Sequence, residues 1–249
     1  TAEGNDKNEG PRIALMELRE DTVSVRPATR SVMPEGYTFR IIAFWKSPAG
    51  GYEFESVADY VSNGTATPEL RRGGMYLSVG QTYRFVAYSF NNNASMGPLP
   101  LNFNNTADMG NLLSDYTWNG TSVTIPDLDN DFMTYDSDDK TVSDENFTLP
   151  VSFKQQLCKL TVKISGTGFV SNTVTGCTGA YIEQGGASPS WTVGANGITP
   201  DTNNTTFNIT DNSTTAIVRL VPFTSARPLT VHFEILCVGG KTAFDANIT

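Results

Sequence analysis

The most constraining feature of this sequence is the alternation of apolar and polar residues in VSFKQQLCKLTVKIS, residues 151–165, which is most regular from Leu157 onward. A period of two residues places successive side chains on opposite faces of an extended chain, so it predicts a half-buried β-strand. Similar runs, separated by turn residues, predict further strands and therefore an all-β protein; they lie at residues 13–18, 36–46, 51–61, 75–91, 205–210, 215–223 and 228–238.

Chain length and charge distribution indicate two domains. Residues 1–149 contain 21 acidic and 11 basic residues, whereas residues 150–249 contain five acidic and six basic residues. Short strands at spacings of roughly 10–20 residues favour β-sandwiches over βαβ units. We predict an N-terminal β-sandwich at 1–148, with a polar tail and an acidic connector at 127–145, and a C-terminal β-sandwich at 149–249.

The overall charge restricts the partners. A formal net charge of −9 makes nucleic acid or an anionic membrane surface an unfavourable partner, because both require clustered Lys and Arg. No window approaches the apolar length of a transmembrane helix. The polar start TAEGNDKNEG is typical of a mature exported protein whose leader has been removed, although the disordered end of a cytosolic protein would look similar.

The chain is poor in catalytic chemistry. Its one histidine, His232, alternates with apolar neighbours and is expected on the exposed face of a strand. There is no GxSxG, HExxH or P-loop motif. The densest cluster of carboxylates, eight of the 26, lies in one predicted connector by sequence, so a glycosidase with two opposed carboxylates is disfavoured. We predict no enzymatic activity and no cofactor.

An acidic run raises the question of a metal. Asp127, Asp129 and Asp131 lie at the alternate positions that an EF-hand loop uses for calcium, but Phe132 stands where that loop requires Gly and Asp138 where it requires Glu. Residues 127–145 hold eight acids and one Lys. The run is therefore interpreted as a solvated interdomain connection, with a bound cation as the alternative.

Two tryptophans lie beside polar turns. Trp118 precedes Asn-Gly and Trp191 follows Ser, so either ring could stack on a sugar. A Trp in a β-sandwich is more often a core or rim residue. Both readings stay open at this point.

Three cysteines are too few for a disulfide framework. Cys158 and Cys237 each alternate with apolar residues and are predicted to be buried free thiols. A bridge between them is the alternative that an exported location would permit.

Two arginines, Arg26 and Arg30, lie in a tail-like segment just before the strand at 36–46. They are either simply solvated or an accessible cleavage point for a trypsin-like protease, since flexible polar segments are where proteases act.

Four stretches together resemble one family. They are the Thr-Arg-Ser at 29–31 before GYTFRIIAFWK, then GQTYRFVAYSFNN, DFMTYDSDD and LPVSFKQQLCKLTVKIS. With them the chain resembles the fimbrillin-like proteins of Bacteroidales, which are subunits of surface fimbriae and related lipid-anchored adhesion proteins. One departure is that Gln155 and Gln156 stand where members often have a His.

The resemblance implies two tandem transthyretin-like (Ig-like, Greek-key) β-sandwich domains, export to the outer membrane as a lipoprotein whose lipid anchor precedes Thr1, and a structural or adhesive role in a fimbria. Stalk subunits of the family lose an N-terminal strand by cleavage after an Arg, and a strand from another fimbrial subunit replaces it. Arg30 is the better candidate, because Pro27 follows Arg26. A host or bacterial surface glycan or protein is a further expected partner, and a surface carbohydrate-binding module is the alternative function.

Overall fold

The computed structural model describes residues 15–21, 33–96, 116–126, 128–163, 174–183, 185–209, 215–222, 229–237 and 240–248. Within these ranges the secondary structure consists of strands, without an α-helix, which confirms the all-β prediction. In chain order the strands are β1 Leu15–Asp21, β2 Thr38–Lys46, β3 Tyr52–Val61, β4 Glu69–Gly74, β5 Thr82–Ser89, β6 Ser122–Thr124, β7 Met133–Asp136, β8 Lys140–Thr141, β9 Thr148–Gln155, β10 Cys158–Lys163, β11 Val174–Ile182, β12 Ser190–Thr192, β13 Thr205–Ile209, β14 Thr215–Leu220, β15 Leu229–Cys237 and β16 Gly240–Ile248.

The chain divides into two compact units that are not contiguous in sequence. The first comprises Thr1–Ser122, Phe132–Gln155 and Thr192–Ala195; the second comprises Val123–Asp131, Gln156–Trp191 and Asn196–Thr249. The first unit includes β9 up to Gln155, because β9 pairs with β7; the predicted boundary at 148/149 stays a prediction. Whether each unit has the transthyretin-like topology stays a prediction.

The first unit is built on a sheet with the strand order β1-β9-β7-β5-β2-β3-β4, with β8 paired to β5. Strand β2 lies between β5 and β3 and is antiparallel to both. Its sequence TFRIIAFWK is aromatic and β-branched, and every residue from Thr38 to Phe44 is buried. Continuous burial of this kind is typical of a strand covered on both faces of its sheet.

One face of this sheet carries the main core of the unit. Phe39 stacks on Tyr60 with ring centroids 5.4 Å apart and meets Phe153 edge-on at 5.7 Å. Alternate residues of β2, β5 and β9 supply the cluster, which includes Phe39, Ile41, Ala43, Phe85, Ala87, Leu149, Val151 and Phe153.

The opposite face is covered by aromatic rings from the segment at 116–118. Phe44 of β2 meets Trp118 edge-on at 5.3 Å, and Phe54 of β3 stacks on Tyr116 at 5.7 Å. Gly194 lies directly against the indole, since a Cβ added there would be 2.9 Å from two Trp118 ring atoms. Trp118 thus packs as part of the second core layer.

A buried ion pair lies on this second face. Arg40 of β2 and Asp59 of β3 are register partners, each only 2% exposed. Arg40 Nε donates to Asp59 Oδ1 at 2.6 Å, and Nη2 donates to Oδ2 at 3.0 Å. Arg40 Nη1 also donates to the Tyr116 hydroxyl at 2.9 Å. Burial is the largest single effect and lowers the pKa of Arg40, but the hydrogen bond to Asp59 and the charge interactions with Tyr88, Tyr116 and Asp59 together outweigh it, so the pKa is raised.

The acidic run at 127–145 is not a solvated connection throughout, which corrects part of the expectation. It contains β7 and β8, both paired with β5, and Phe132 and Met133 are 0% and 1% exposed. Two of its carboxylates, Asp136 and Asp139, pair with Arg84 and Lys46. The charge density is tolerated because these bases meet the carboxylates that point away from the core.

The stretch VSFKQQLCKLTVKIS is divided between β9 in the first unit and β10 in the second, with a break at Gln156 and Leu157. Cys158 opens β10 as an exposed free thiol, so the prediction of a buried Cys158 is wrong. β10 pairs with β14, whereas Cys237 lies on β15, and Cys158 is free, so the alternative of a bridge between these two cysteines is also wrong. The break shifts the register that continuous alternation predicted.

The second unit contains an antiparallel sheet with the order β13-β11-β15-β16 and an antiparallel pair of β10 and β14. Gly185 lies close to both, because a Cβ added there would be 2.8 Å from Thr205 Cβ and 3.3 Å from Leu220 Cδ2. Trp191 is among the largest fully buried side chains. A further two-stranded sheet is formed by β6 and β12.

We predict that Asp59→Ala destabilises the first unit by about 3–5 kcal/mol, because it leaves the Arg40 guanidinium buried without its counterion. The matched control is Asp136→Ala, which removes the partner of Arg84 in a pair whose side chains are 26% and 30% exposed. Loss of that pair should cost about 1 kcal/mol or less. Urea denaturation followed by circular dichroism measures both, and equal losses for the two variants would contradict the prediction.

We also predict that Gly194→Ala destabilises the protein more than Gly50→Ala. Gly194 and Gly50 have φ of +87° and +89°, but an added Cβ meets Trp118 only at Gly194, while nothing lies within 4 Å of it at Gly50. Each variant carries the left-handed backbone cost of about 1–2 kcal/mol, so the difference isolates the clash, expected at about 1–3 kcal/mol. Thermal unfolding compares them; matching melting temperatures would show that the indole moves aside freely.

Candidate assembly interface

The N-terminal strand β1 forms one edge of the first sheet. It runs parallel to β9 through seven paired positions, from Leu15 with Thr148 to Asp21 with Lys154. Residues 15–18, the described part of the predicted strand IALMEL at 13–18, therefore pair directly with the strand that follows the acidic run. In the part of the chain that the structure describes, β9 is the sole partner of β1.

The strand next to this edge is amphipathic. Leu149, Val151 and Phe153 are at most 1% exposed and belong to the main core, whereas Thr148, Pro150 and Lys154 between and beside them are exposed. Strand β9 pairs with β7 only near its end, through Lys154 and Gln155. Over the rest of its length, the strand paired with β9 in the described part of the chain is β1.

The cleavage candidates Arg26 and Arg30 lie outside the described residues, between β1 and Met33. Met33 itself is firmly held: it is 3% exposed, and its carbonyl accepts a hydrogen bond from the Ser62 hydroxyl at 2.7 Å. The globular part of the first unit thus begins within three residues of Arg30, whereas β1 contributes through strand pairing.

The two tryptophans proposed for sugar stacking differ in how much of each side chain is exposed. Trp191 is 1% exposed, so its ring faces are closed to a ligand. Trp118 is half-buried, with the Arg84 guanidinium 5.0 Å from its ring centre and the Tyr52 ring at 4.7 Å. Together with Gly194 these neighbours occupy most of the indole, and a sugar-binding role for Trp118 stays a prediction.

The three aspartates of the calcium-like pattern are met by an arginine where they are described. Arg219 Nε lies 3.4 Å from Asp131 Oδ1, and Arg219 Nη1 donates to the backbone carbonyl of Asp129. Burial raises the pKa of Asp131, and Arg219 opposes this rise. Asp127 lies outside the described residues, within which no group of three or more His, Cys, Asp or Glu has the geometry to hold a metal ion.

The later acids of the same run form a polar network around Trp118. Arg84 Nε and Nη2 donate to the two Asp136 oxygens at 2.7 and 2.8 Å. Asp139 accepts from Lys46 and, at 2.7 Å, from the Tyr52 hydroxyl. The hydrogen bond from Lys46 lowers the pKa of Asp139. These ion pairs and hydrogen bonds leave the carboxylates of Asp136 and Asp139 paired with bases at the surface of the first unit.

His232 is half-buried, stacks on Tyr181 with ring centroids 4.5 Å apart, and its Nε2 lies 3.1 Å from Glu183 Oε1. The sequence did not single out Asp59, which lies between Arg40 and Arg72. A single buried acid has no sequence signature, whereas its partner Arg72 belongs to the dipeptide Arg71-Arg72, a local basic run in the sequence. Among the described residues there is also no helix with the length and hydropathy to cross a membrane.

Solved structures with the same fold come from Bacteroides. A candidate cell adhesion protein from Bacteroides uniformis is 17% identical, with a TM-score of 0.57 over 94% of this chain and 83% of its own. Another from Bacteroides ovatus is 12% identical, with a TM-score of 0.55 over 94% of this chain and 86% of its own. At such identities the similarity bears on the fold alone. Among curated proteins, none matches.

The sequence itself matches a family model described as fimbrillin-like, over residues 29–246. The match begins beside Arg30 and runs through both units to β16. It points to a structural, non-enzymatic protein, which confirms the prediction that this is not an enzyme. The chain belongs to the fimbrillin-like family.

Proposed function

We propose that this protein is a subunit of a bacterial cell-surface fimbria that assembles by exchange of the strand next to β9. Family membership supports a fimbrial or adhesive role at the cell surface. The single observation that carries the finer proposal is the pairing of β1 with β9 at the sheet edge. A terminal strand held at an edge is the element whose removal disturbs the remaining sheet least.

Loss of β1 would remove the strand that pairs with β9 from Thr148 to Lys154, beside the core residues Leu149, Val151 and Phe153. An unpaired edge beside an apolar core is a template for an incoming strand. A strand from another subunit would supply the backbone hydrogen bonds, and alternate side chains would set its register. Each apolar side chain that the donor buries contributes about 1.5–3 kcal/mol before ordering costs.

Cleavage after Arg30 would release β1 and leave Met33 in place. The core position of Met33 and its hydrogen bond to Ser62 mean that the new N-terminus would stay attached to the unit. Arg26 is the poorer site, since Pro27 follows it and trypsin-like enzymes cut Arg-Pro bonds badly. The processing would thus expose β9 as an acceptor edge for another strand without unfolding the first unit.

The partners in this proposal are other fimbrial subunits. The protein would be exported as a lipoprotein and attached to the outer membrane by a lipid anchor on a preceding segment. A stalk subunit would both accept and donate a strand, whereas a tip or accessory subunit would do only one of these. Of the two tryptophans on which a carbohydrate-binding module would depend, Trp191 is buried and Trp118 is half-buried. The strand-exchange role is therefore the stronger proposal.

We predict that limited digestion with a trypsin-like protease gives a folded product beginning at Ser31, which then binds a synthetic peptide of residues 13–25. The peptide restores the partner of β9, so native-state hydrogen exchange at Thr148–Lys154 should rise on cleavage and fall again with the peptide. Mass spectrometry reads the new terminus, and size-exclusion chromatography reads oligomers formed without peptide.

Arg30→Ala should resist this trimming, and Arg26→Ala should be trimmed as the unchanged protein is. A scrambled peptide of the same composition controls for non-specific binding. A product that starts at Ser31 but shows no increase in exchange along β9 would mean that β1 is not the strand that closes this edge.

A further inference from the structure

A cavity of about 190 Å³ opens on the first unit at its β4 edge, opposite the β1 edge. Its described lining residues are Thr38, Asp59, Arg71, Arg72, Ser95 and Met96. Thr38 and Met96 are 1% and 6% exposed, and Thr38 Oγ1 donates to the Ala94 carbonyl at 2.6 Å. Its floor is therefore fixed by the strand core and its rim is formed by Arg71, Arg72 and Ser95.

Two consecutive arginines line this one cavity because β4 is irregular. In a regular strand, neighbouring side chains point to opposite faces of the sheet. Here Asp59 pairs with Arg72 and Tyr60 with Leu70, so the register shifts and Arg71 is the extra residue. A β-bulge of this kind redirects side chains, and bulges are common beside binding sites. Gly73, with φ of +77°, follows directly and suits the altered backbone path.

The charges at the cavity are unbalanced toward positive. Asp59 accepts from Arg40 at 2.6 and 3.0 Å and from Arg72 at 3.1 and 2.5 Å. One carboxylate thus faces two guanidinium groups. Arg71 adds a third positive charge; it is exposed and has no ion pair or hydrogen bond to any residue that the structure describes. This surplus lies in a chain whose net charge is −9.

We propose that this cavity binds the carboxylate of an acidic sugar, with Arg71 as the principal anion ligand. The planar fork of Arg matches a carboxylate through two parallel N–H donors. Arg72 adds positive potential and stays anchored to Asp59. The Ser95 hydroxyl and the Met96 side chain offer one polar and one apolar wall to a sugar ring.

The size of the cavity favours a sugar over an acidic peptide side chain. A cavity of about 150 Å³ holds a six-membered carbon ring, so 190 Å³ suits one hexuronate residue. The side chain of Asp or Glu is smaller and would leave much of that volume to water. The site therefore gives the fimbrial subunit a ligand of its own, independent of strand exchange and of the two tryptophans.

The probe is glucuronic acid, with glucose as the neutral ring of the same size, and binding is followed by amide chemical shifts in ¹H–¹⁵N spectra. We expect saturable shifts at Arg71, Arg72 and Ser95 with glucuronic acid and none with glucose. Arg71→Ala should weaken binding about tenfold or more, the loss of a charged hydrogen-bond pair. Arg71→Lys keeps the positive charge but lacks the two parallel N–H donors, so its affinity for glucuronic acid should lie between those of the unchanged protein and Arg71→Ala.

The charge-matched control is Lys140→Ala, which removes a positive charge on β8 of the same unit and should leave the affinity unchanged. Thermal unfolding shows whether Arg71→Ala is folded, as its exposure leads us to expect. The proposal is overturned if glucose shifts the same amides, if Arg71→Ala binds as tightly as the unchanged protein, or if an acidic peptide such as acetyl-Glu-Glu-amide binds more tightly than glucuronic acid. Failure here would leave the β1 proteolysis result unaffected, so the two proposals are separable.

Discussion

A row of polar side chains across four strands fixes the register of the first sheet. Tyr88 of β5 pairs with Arg40 of β2, Arg40 with Asp59 of β3, and Asp59 with Arg72 of β4. A one-residue slip between β2 and β3 would bury the charges of Arg40 and Asp59 apart from each other, which costs far more than a lost hydrogen bond. The same slip would turn the apolar residues of β2 to the wrong face. The ion pair thus specifies the sheet more than it stabilises it.

The two edge strands of that sheet have a neighbouring strand on one side only in the strand order of the described residues. β2, β3 and β5 each have strand partners on both sides, so their polar backbone groups are satisfied within the unit. β1 and β4 are the terminal members of the order. β4 carries two exposed arginines and a bulge, features that discourage edge-to-edge pairing, whereas β1 is an element that proteolysis before Met33 would detach. The two edges are therefore suited to different roles.

The sequence predicted the strands whose burial follows their own residues, and failed where distant residues decide. GYTFRIIAFWK predicted β2 within two residues, because seven successive buried positions leave a local pattern. The sequence predicts a connector at DFMTYDSDD because the bases that neutralise its acids are distant along the chain. Arg84 is 52 residues from Asp136, and Lys46 is 93 residues from Asp139. Likewise, nothing local reveals the break at Gln156 that exposes Cys158, or the bulge that brings Arg71 beside Arg72.

The separation of the two edges has a consequence for an assembled fibre. The acceptor strand β9 and the arginine cavity beside β4 are divided by β7, β5, β2 and β3. A donor strand that replaces β1 would contact β9 without reaching Arg71 or Arg72. Strand exchange and ligand binding would therefore involve opposite edges of the sheet and could occur in the same subunit. Weak single-site binding of an acidic sugar would then be multiplied by the repeat of subunits along the fibre.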